Sequence, residues 1–230
     1  MNNLYLLLDL GSLSIPFLFS FHPKLKFYKK WKALFLAIPL TMLIFIPWDV
    51  FFTQQGFWGF NETYFLNVRI LGLPLEEWLF FICIPYACVF THYALLVYFP
   101  NLSLKVSTTR WISYLLISIL LITTIMNLDK WYTTVNFLFA IILIPIALKT
   151  NLELLRKFYV TFLVMLVPFF IVNGILTGSF IANEVVWYST EEILGLRLFT
   201  IPVEDTVYAL TLILTNLLLV EYFQKKLFGN

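Results

Sequence analysis

The sequence predicts an all-α fold. It reads as a polytopic membrane protein of seven transmembrane helices, arranged as two parallel three-helix repeats plus a linker helix. Three observations predict this. Of 230 residues, 61% are hydrophobic and 12% charged, which departs from the composition of a soluble domain. Seven stretches are apolar enough to cross a bilayer, which takes about 20 residues at ~1.5 Å rise each. An acidic motif also occurs twice before an apolar run, as Pro74-Leu75-Glu76-Glu77 and Pro202-Val203-Glu204-Asp205.

The seven stretches are 4–21, 33–52, 75–99, 111–127, 131–148, 158–178 and 203–223. The first carries Asp9 and Pro16. Met1-Asn2-Asn3 has no basic n-region and Asp9 interrupts the apolar run, so a mature helix is expected there, not a signal peptide. Charge tests the count. With seven spans, twelve of the fifteen Lys and Arg fall on one side, and only Arg69, Lys130 and Arg197 on the other. The basic side is expected in the cytoplasm. A multi-pass protein of the cell membrane follows, with its N-terminus outside and its C-terminus cytoplasmic.

This topology gathers the unusual residues. Asp49, Glu76, Glu77, Asn173, Glu204 and Asp205 all fall near the outer membrane face, under two long loops, 53–74 and 179–202. The halves are expected as a first repeat over 1–103, a linker span over 104–128 and a second repeat over 129–230. An odd linker span lets both halves run in the same direction, and such repeats can enclose a site between them. Asp49 is followed after 23 residues by Gly72, and Asn173 after 22 by Gly195. That alignment requires a five-residue insertion, 197–201, before the second acidic motif.

Acids at a membrane face are costly and are functional candidates. Proline and acids in a first helical turn also suit the helix terminus by themselves, but a repeated pair is harder to ascribe to capping alone. Several acids packed at one depth cannot all ionise cheaply. One would stay protonated and act as an acid, and an ionised neighbour would take a proton back. Helical spacing puts Glu76 on a face with Phe80 and Cys83, and Glu204 on a face with Tyr208 and Thr211. These faces are expected to look into the cavity, with Glu77 and Asp205 orienting or pairing. Arg69 and Arg197 stand close to the acid pairs and are expected to clamp acids or loops, or to be ordinary interfacial arginines. Asp9 is expected to be solvated beside the N-terminus. Aromatics around the outer loops, among them Trp48, Trp58, Phe60, Tyr64 and Tyr188, could steady a cation, although an interfacial belt explains most of them. Gly174 and Gly178 are expected to permit close helix contact.

Other chemistries find no support in the sequence. Cys83 and Cys88 point to different sides of one helix, so no disulfide is expected. His22 and His92 have no partner at metal-ligand spacing, so no metal site is expected. There is no Gly-x-Gly-x-x-Gly motif, and no basic cluster alternates with aromatics to suggest nucleic acid.

These motifs resemble the membrane-integral lycopene cyclases, built from two related three-span units, separate or fused. In the first half the resemblance rests on Pro47-Trp48-Asp49, Gly56-Phe57-Trp58-Gly59-Phe60 and Pro74-Leu75-Glu76-Glu77-Trp78. In the second it rests on Asn173-Gly174-Ile175-Leu176-Thr177-Gly178, Gly195-Leu196-Arg197 and Pro202-Val203-Glu204-Asp205-Thr206. It implies a carotenoid-biosynthesis enzyme, a lycopene β-cyclase, that closes the linear ends of lycopene into β-ionone rings by way of γ-carotene. The reaction is a net isomerisation by protonation, carbocation ring closure and deprotonation, so no cofactor is implied. The implied partners are lycopene and related carotenoids, the lipid bilayer, and other carotenoid-pathway enzymes. The expected catalytic residues are Glu76, Glu204, Glu77, Asp205 and Asp49. The expected substrate-binding or supporting residues are Asn173, Arg69, Arg197, Tyr208, Phe80 and Trp58. Asp49 against Asn173 suggests unequal roles for the halves.

Three rivals are weighed against this. A membrane prenyl-lipid enzyme would hold Mg²⁺ on clustered acids, but the acids lie on the outer side and no Asp-rich motif is present. A retinal receptor needs an intramembrane lysine, and 203–223 has none. A proton-coupled transporter would use the acids as a relay.

Overall fold

The computed structural model describes residues 3–229. Met1 and Asn2, part of the stretch read against a signal peptide, lie outside the described residues, as does Asn230. Seven α-helices carry the chain: α1 Leu4–Phe19, α2 Trp31–Gln55, α3 Leu75–Tyr98, α4 Val106–Met126, α5 Trp131–Thr150, α6 Leu152–Leu176 and α7 Val203–Phe228. All but α1 are long and apolar enough to cross a membrane. At 16 residues, α1 rises about 24 Å, short of the ~30 Å hydrocarbon core. The all-α polytopic architecture is therefore the one the hydropathy pattern predicts.

Several helices outrun their apolar stretches, because hydropathy marks the lipid boundary and not the end of the hydrogen-bond ladder. α6 begins at Leu152, where the Asn151 side chain accepts from the Leu154 N–H and so caps the first turn. Glu153 pairs there with Arg156 and Lys157 one turn on, a polar start that apolar scanning passes over.

Helix packing repeats between the halves. α1 packs on α3, and α5 on α7; α2 crosses to α7, and α6 to α3. α4 packs on α5 and α6.

The two long loops, 53–74 and 179–202, contain short strands that the hydropathy pattern does not signal. β1 (Trp58–Phe60) pairs antiparallel with β4 (Val186–Tyr188), Trp58 opposite Tyr188. This ribbon ties one half to the other. Gly59 faces Trp187 across it, and a Cβ at Gly59 would lie 2.3 Å from the indole. Gly59→Ala is therefore expected to cost about 1–3 kcal/mol, seen as a lower midpoint for thermal unfolding in detergent.

Each acidic motif is preceded by a small hairpin. β2 (Arg69–Ile70) pairs with β3 (Leu73–Pro74), and β5 (Arg197–Leu198) with β6 (Ile201–Pro202). The two coincide at a constant offset of 128 residues: Arg69 opposite Pro74 becomes Arg197 opposite Pro202. The Leu75 N–H bonds Val68 O, and the Val203 N–H bonds Leu196 O. Left-handed residues follow the same offset, Asn67 with Gly195 and Leu71 with Phe199. The five-residue insertion is thus overturned. Gly195 corresponds to Asn67 and not to Gly72, because either residue type tolerates the left-handed backbone required there.

Two further expectations change. Gly174 and Gly178 do not seat a neighbouring helix. A Cβ at Gly174 would meet the Ser179 side chain of the following turn. Gly178 lies beyond the end of α6 at φ +109°, where a side chain is strained.

Candidate active site

The first two acids of each motif part company at the helix start. The Glu76 carboxylate accepts the Leu66 N–H at 2.8 Å, and Glu204 accepts the Leu194 N–H at 2.6 Å. Each binds the amide ten residues upstream, so both serve the loop that enters their helix. Glu204 also accepts from the Thr133 hydroxyl at 2.7 Å, and the Asn136 amide donates to its carbonyl at 2.7 Å. Loop amides buried at a helix entrance need acceptors, and these carboxylates supply them. The expectation that Glu76 and Glu204 look into a cavity is therefore reversed. Glu77 and Asp205, about 100° round the helix, line it instead.

That cavity has a volume of about 480 Å³. One end is polar, with Asp49, Glu77, Asn173 and Asp205 on its wall. Phe80 and Tyr208, expected on the inward faces of α3 and α7, line it too. The β1–β4 ribbon covers this end with Trp58, Phe60 and Tyr188. Trp58, Phe60 and Tyr64 are buried and do not form an interfacial belt.

The two halves present different carboxyl environments. In the first half, Asp49 and Glu77 are both buried and both line the polar end of the cavity. The Trp58 indole N–H donates to Asp49 Oδ1 at 2.8 Å. Asp49 Oδ2 is buried and meets no donor among the described residues. The Tyr5 hydroxyl, on the second residue of α1, donates to Glu77. In the second half an amide stands where Asp49 stood. The Asn173 side chain donates to Asp205 Oδ2 at 2.8 Å, and the Tyr188 hydroxyl donates to the same oxygen at 2.9 Å. The Tyr132 hydroxyl, on the second residue of α5, donates to Oδ1 at 2.6 Å. Burial and then the neighbouring Asp205 charge hold the Tyr188 hydroxyl well above the ordinary tyrosine range, so it remains a donor.

Aromatic faces close over these carboxyls. Tyr132 and Tyr188 stack at 5.7 Å, and Trp58 meets Tyr132 edge-on at 4.9 Å.

The remaining candidates lie outside this cluster. Arg69 donates to Gly72 O at 3.0 Å and pairs with exposed Glu62; Arg197 donates to Thr200 O. Both arginines clamp their own hairpins and not the acid pairs. Asp9 is not solvated. It is 1% exposed, because α1 turns the face that carries Tyr5, one turn earlier, against α3.

Tyr5, Tyr132 and Thr133 were missed by reading the sequence. Each sits near the start of a helix whose acidic partner is about 70 residues away, so local spacing gives no sign of them. A signal did exist in the repeat: a tyrosine stands second in both α1 and α5. Among the described residues no cluster of three or more His, Cys, Asp and Glu has a metal-holding arrangement.

Neither the curated proteins nor the solved structures contain a match to this chain. The family described as lycopene cyclase matches it twice, over residues 2–95 and again over 129–223. The two segments are displaced by the same 127 to 128 residues that relate the hairpins, the start of α1 to that of α5 and the start of α3 to that of α7. With a doubled acidic motif and a roofed apolar cavity behind both matches, the chain belongs to the lycopene cyclase family of carotenoid-cyclising membrane enzymes.

Proposed function

We propose that this protein is a lycopene β-cyclase whose chemistry runs between the two unlike carboxyl environments at the polar end of the cavity. That contrast is the observation that carries the reading. Two buried carboxyls at one end of an apolar cavity cannot both ionise cheaply, so Asp49 and Glu77 hold a proton between them. Asp205 faces three donors and no acceptor in its hydrogen bonds, the surroundings of a carboxylate.

The Asp49–Glu77 pair delivers its proton to C2 of the terminal C1=C2 bond. The C1 cation that results is attacked by the C5=C6 bond, which closes the six-membered ring and moves the positive charge to C5. Loss of the C6 proton to Asp205 forms the C5=C6 double bond of the β ring. One proton enters and one leaves, with no change of oxidation level. The stacked faces of Tyr132 and Tyr188 and the indole of Trp58 lie where they can steady the cation. The apolar walls keep water from quenching it. Glu76 and Glu204 position the loops over the site, as do Arg69 and Arg197.

The same reading divides the chain into a first repeat over 1–103, a linker span over 104–128 and a second repeat over 129–230. The acid end faces outward and the C-terminus lies in the cytoplasm, as the distribution of basic residues supports.

Expression in a lycopene-accumulating host tests the function. Cyclic yellow-orange pigment is expected, and unchanged red pigment would overturn the reading. Turnover in D₂O tests the mechanism: mass spectrometry and NMR should find one deuterium at C2 of each new ring. Product without label would mean that the proton does not come from a solvent-exchangeable acid.

A further inference from the structure

One long side of the cavity is open. Below the acids its walls come from α1, α3, α6 and α7, yet its exposed lining residues lie on α1 and α6 alone: Leu7, Gly11, Ile15 and Pro168. The first three recur every fourth residue and so form one stripe of α1. On α3 the lining runs from Glu77 to Thr91, about 21 Å at ~1.5 Å per residue. The cavity is therefore a slot along the helices, with acids at one end and a lateral mouth between α1 and α6.

The internal repeat supplies a comparison. Tyr5 and Tyr132, second in α1 and α5, donate to Glu77 and Asp205. This sets the offset of α5 from α1 at 127 residues, so Ser12 of α1 corresponds to Phe139 of α5. Asp49 of α2 and Asn173 of α6 stand at matching places on the cavity's polar end, so the counterpart of the α1–α6 seam is the α5–α2 seam. That second seam is filled. The Phe139 ring meets Phe45 edge-on at 5.2 Å and Trp48 at 6.3 Å. Where the second half has this phenylalanine, the first half has the small Ser12, which lines the slot next to Gly11. A Cβ added at Gly11 would meet nothing within 4 Å.

We propose that the α1–α6 seam is the port through which a linear polyene slides from the lipid, end first, to the acids, and that Gly11 keeps it open. The proposal rests on the cyclase reading above and names its route of access. The chemistry of the slot fits that occupant. No lysine or arginine lines it, so a lipid with an anionic head group would find no counter-charge. Its exposed rim is formed by apolar side chains and glycine. An uncharged, extended hydrocarbon can lie along it with most of its length still in the bilayer.

Gly11→Phe places a phenyl ring in the open mouth, where an added Cβ meets nothing within 4 Å. It is expected to lower lycopene conversion in isolated membranes at least about tenfold and to reduce the lycopene that copurifies with the protein, a loss of binding and not of chemistry. Leu10→Phe, whose side chain is exposed and does not line the slot, should behave as wild type. Gly11→Cys is the second variant, small enough to leave the mouth open. A bilayer-soluble maleimide should modify residue 11, read by mass spectrometry, and added lycopene should slow that labelling. Wild-type conversion and pigment content in Gly11→Phe, or labelling of Gly11→Cys unaffected by lycopene, would overturn the port and leave the cyclase reading standing. A wild-type protein that forms no cyclic product would overturn the cyclase reading itself.

Discussion

Glu77→Gln should cut lycopene turnover by about 10²- to 10⁴-fold, the range that a positioned proton donor contributes, while the protein still inserts. The amide keeps the size of the side chain and can still bond Tyr5, but it carries no acidic proton to give. It also leaves Asp49, whose Oδ2 meets no donor among the described residues, without a second carboxyl to share its proton. Glu76→Gln is the control, because the Glu76 carboxylate points to the Leu66 amide and not into the cavity. It retains the amide-accepting oxygen, so its turnover should fall far less than that of Glu77→Gln. Pigment chromatography on membranes with equal protein content measures both. Equal losses in the two variants would return Glu76 to the chemistry.

Asp205→Asn should show a comparable loss, of about 10²- to 10⁴-fold in kcat, for the opposite reason. The substituted amide is a poor proton acceptor. Tyr132, Tyr188 and Asn173 all donate to Asp205, and an amide nitrogen in place of one oxygen would confront at least one of them donor to donor. Because the side chain acts after the substrate is seated, KM should change much less than kcat. A variant with wild-type kcat would place the base elsewhere.

The membrane architecture was legible because hydropathy and loop charge are summed over long windows. The cluster was legible as a region, since one topology brings Asp49, Asn173 and both acidic motifs to the same depth. Facing within the cluster was not. Glu76 and Glu77 are adjacent and chemically alike, and what separates them is the Leu66 amide, which needs an acceptor and takes the nearer carboxylate. No pattern internal to α3 encodes that demand. The repeat register failed at Gly195 for a related reason. Glycine and asparagine fill the same left-handed position, so matching glycine to glycine misaligned hairpins that the backbone superposes. Asp9 was placed in solvent because it stands near the chain start, and α1 turns it inward against α3.

The exchange of Asp49 for Asn173, with that of Ser12 for Phe139, has a consequence for ancestry. A tandem duplication begins with two interchangeable copies, either of which could serve beside a twin of itself. Once one copy has traded an acid for an amide and the other has kept a gap where its sibling has a ring, neither can work with a duplicate of itself. From then on the unit of inheritance is the joined pair, and loss of either half is loss of the whole enzyme.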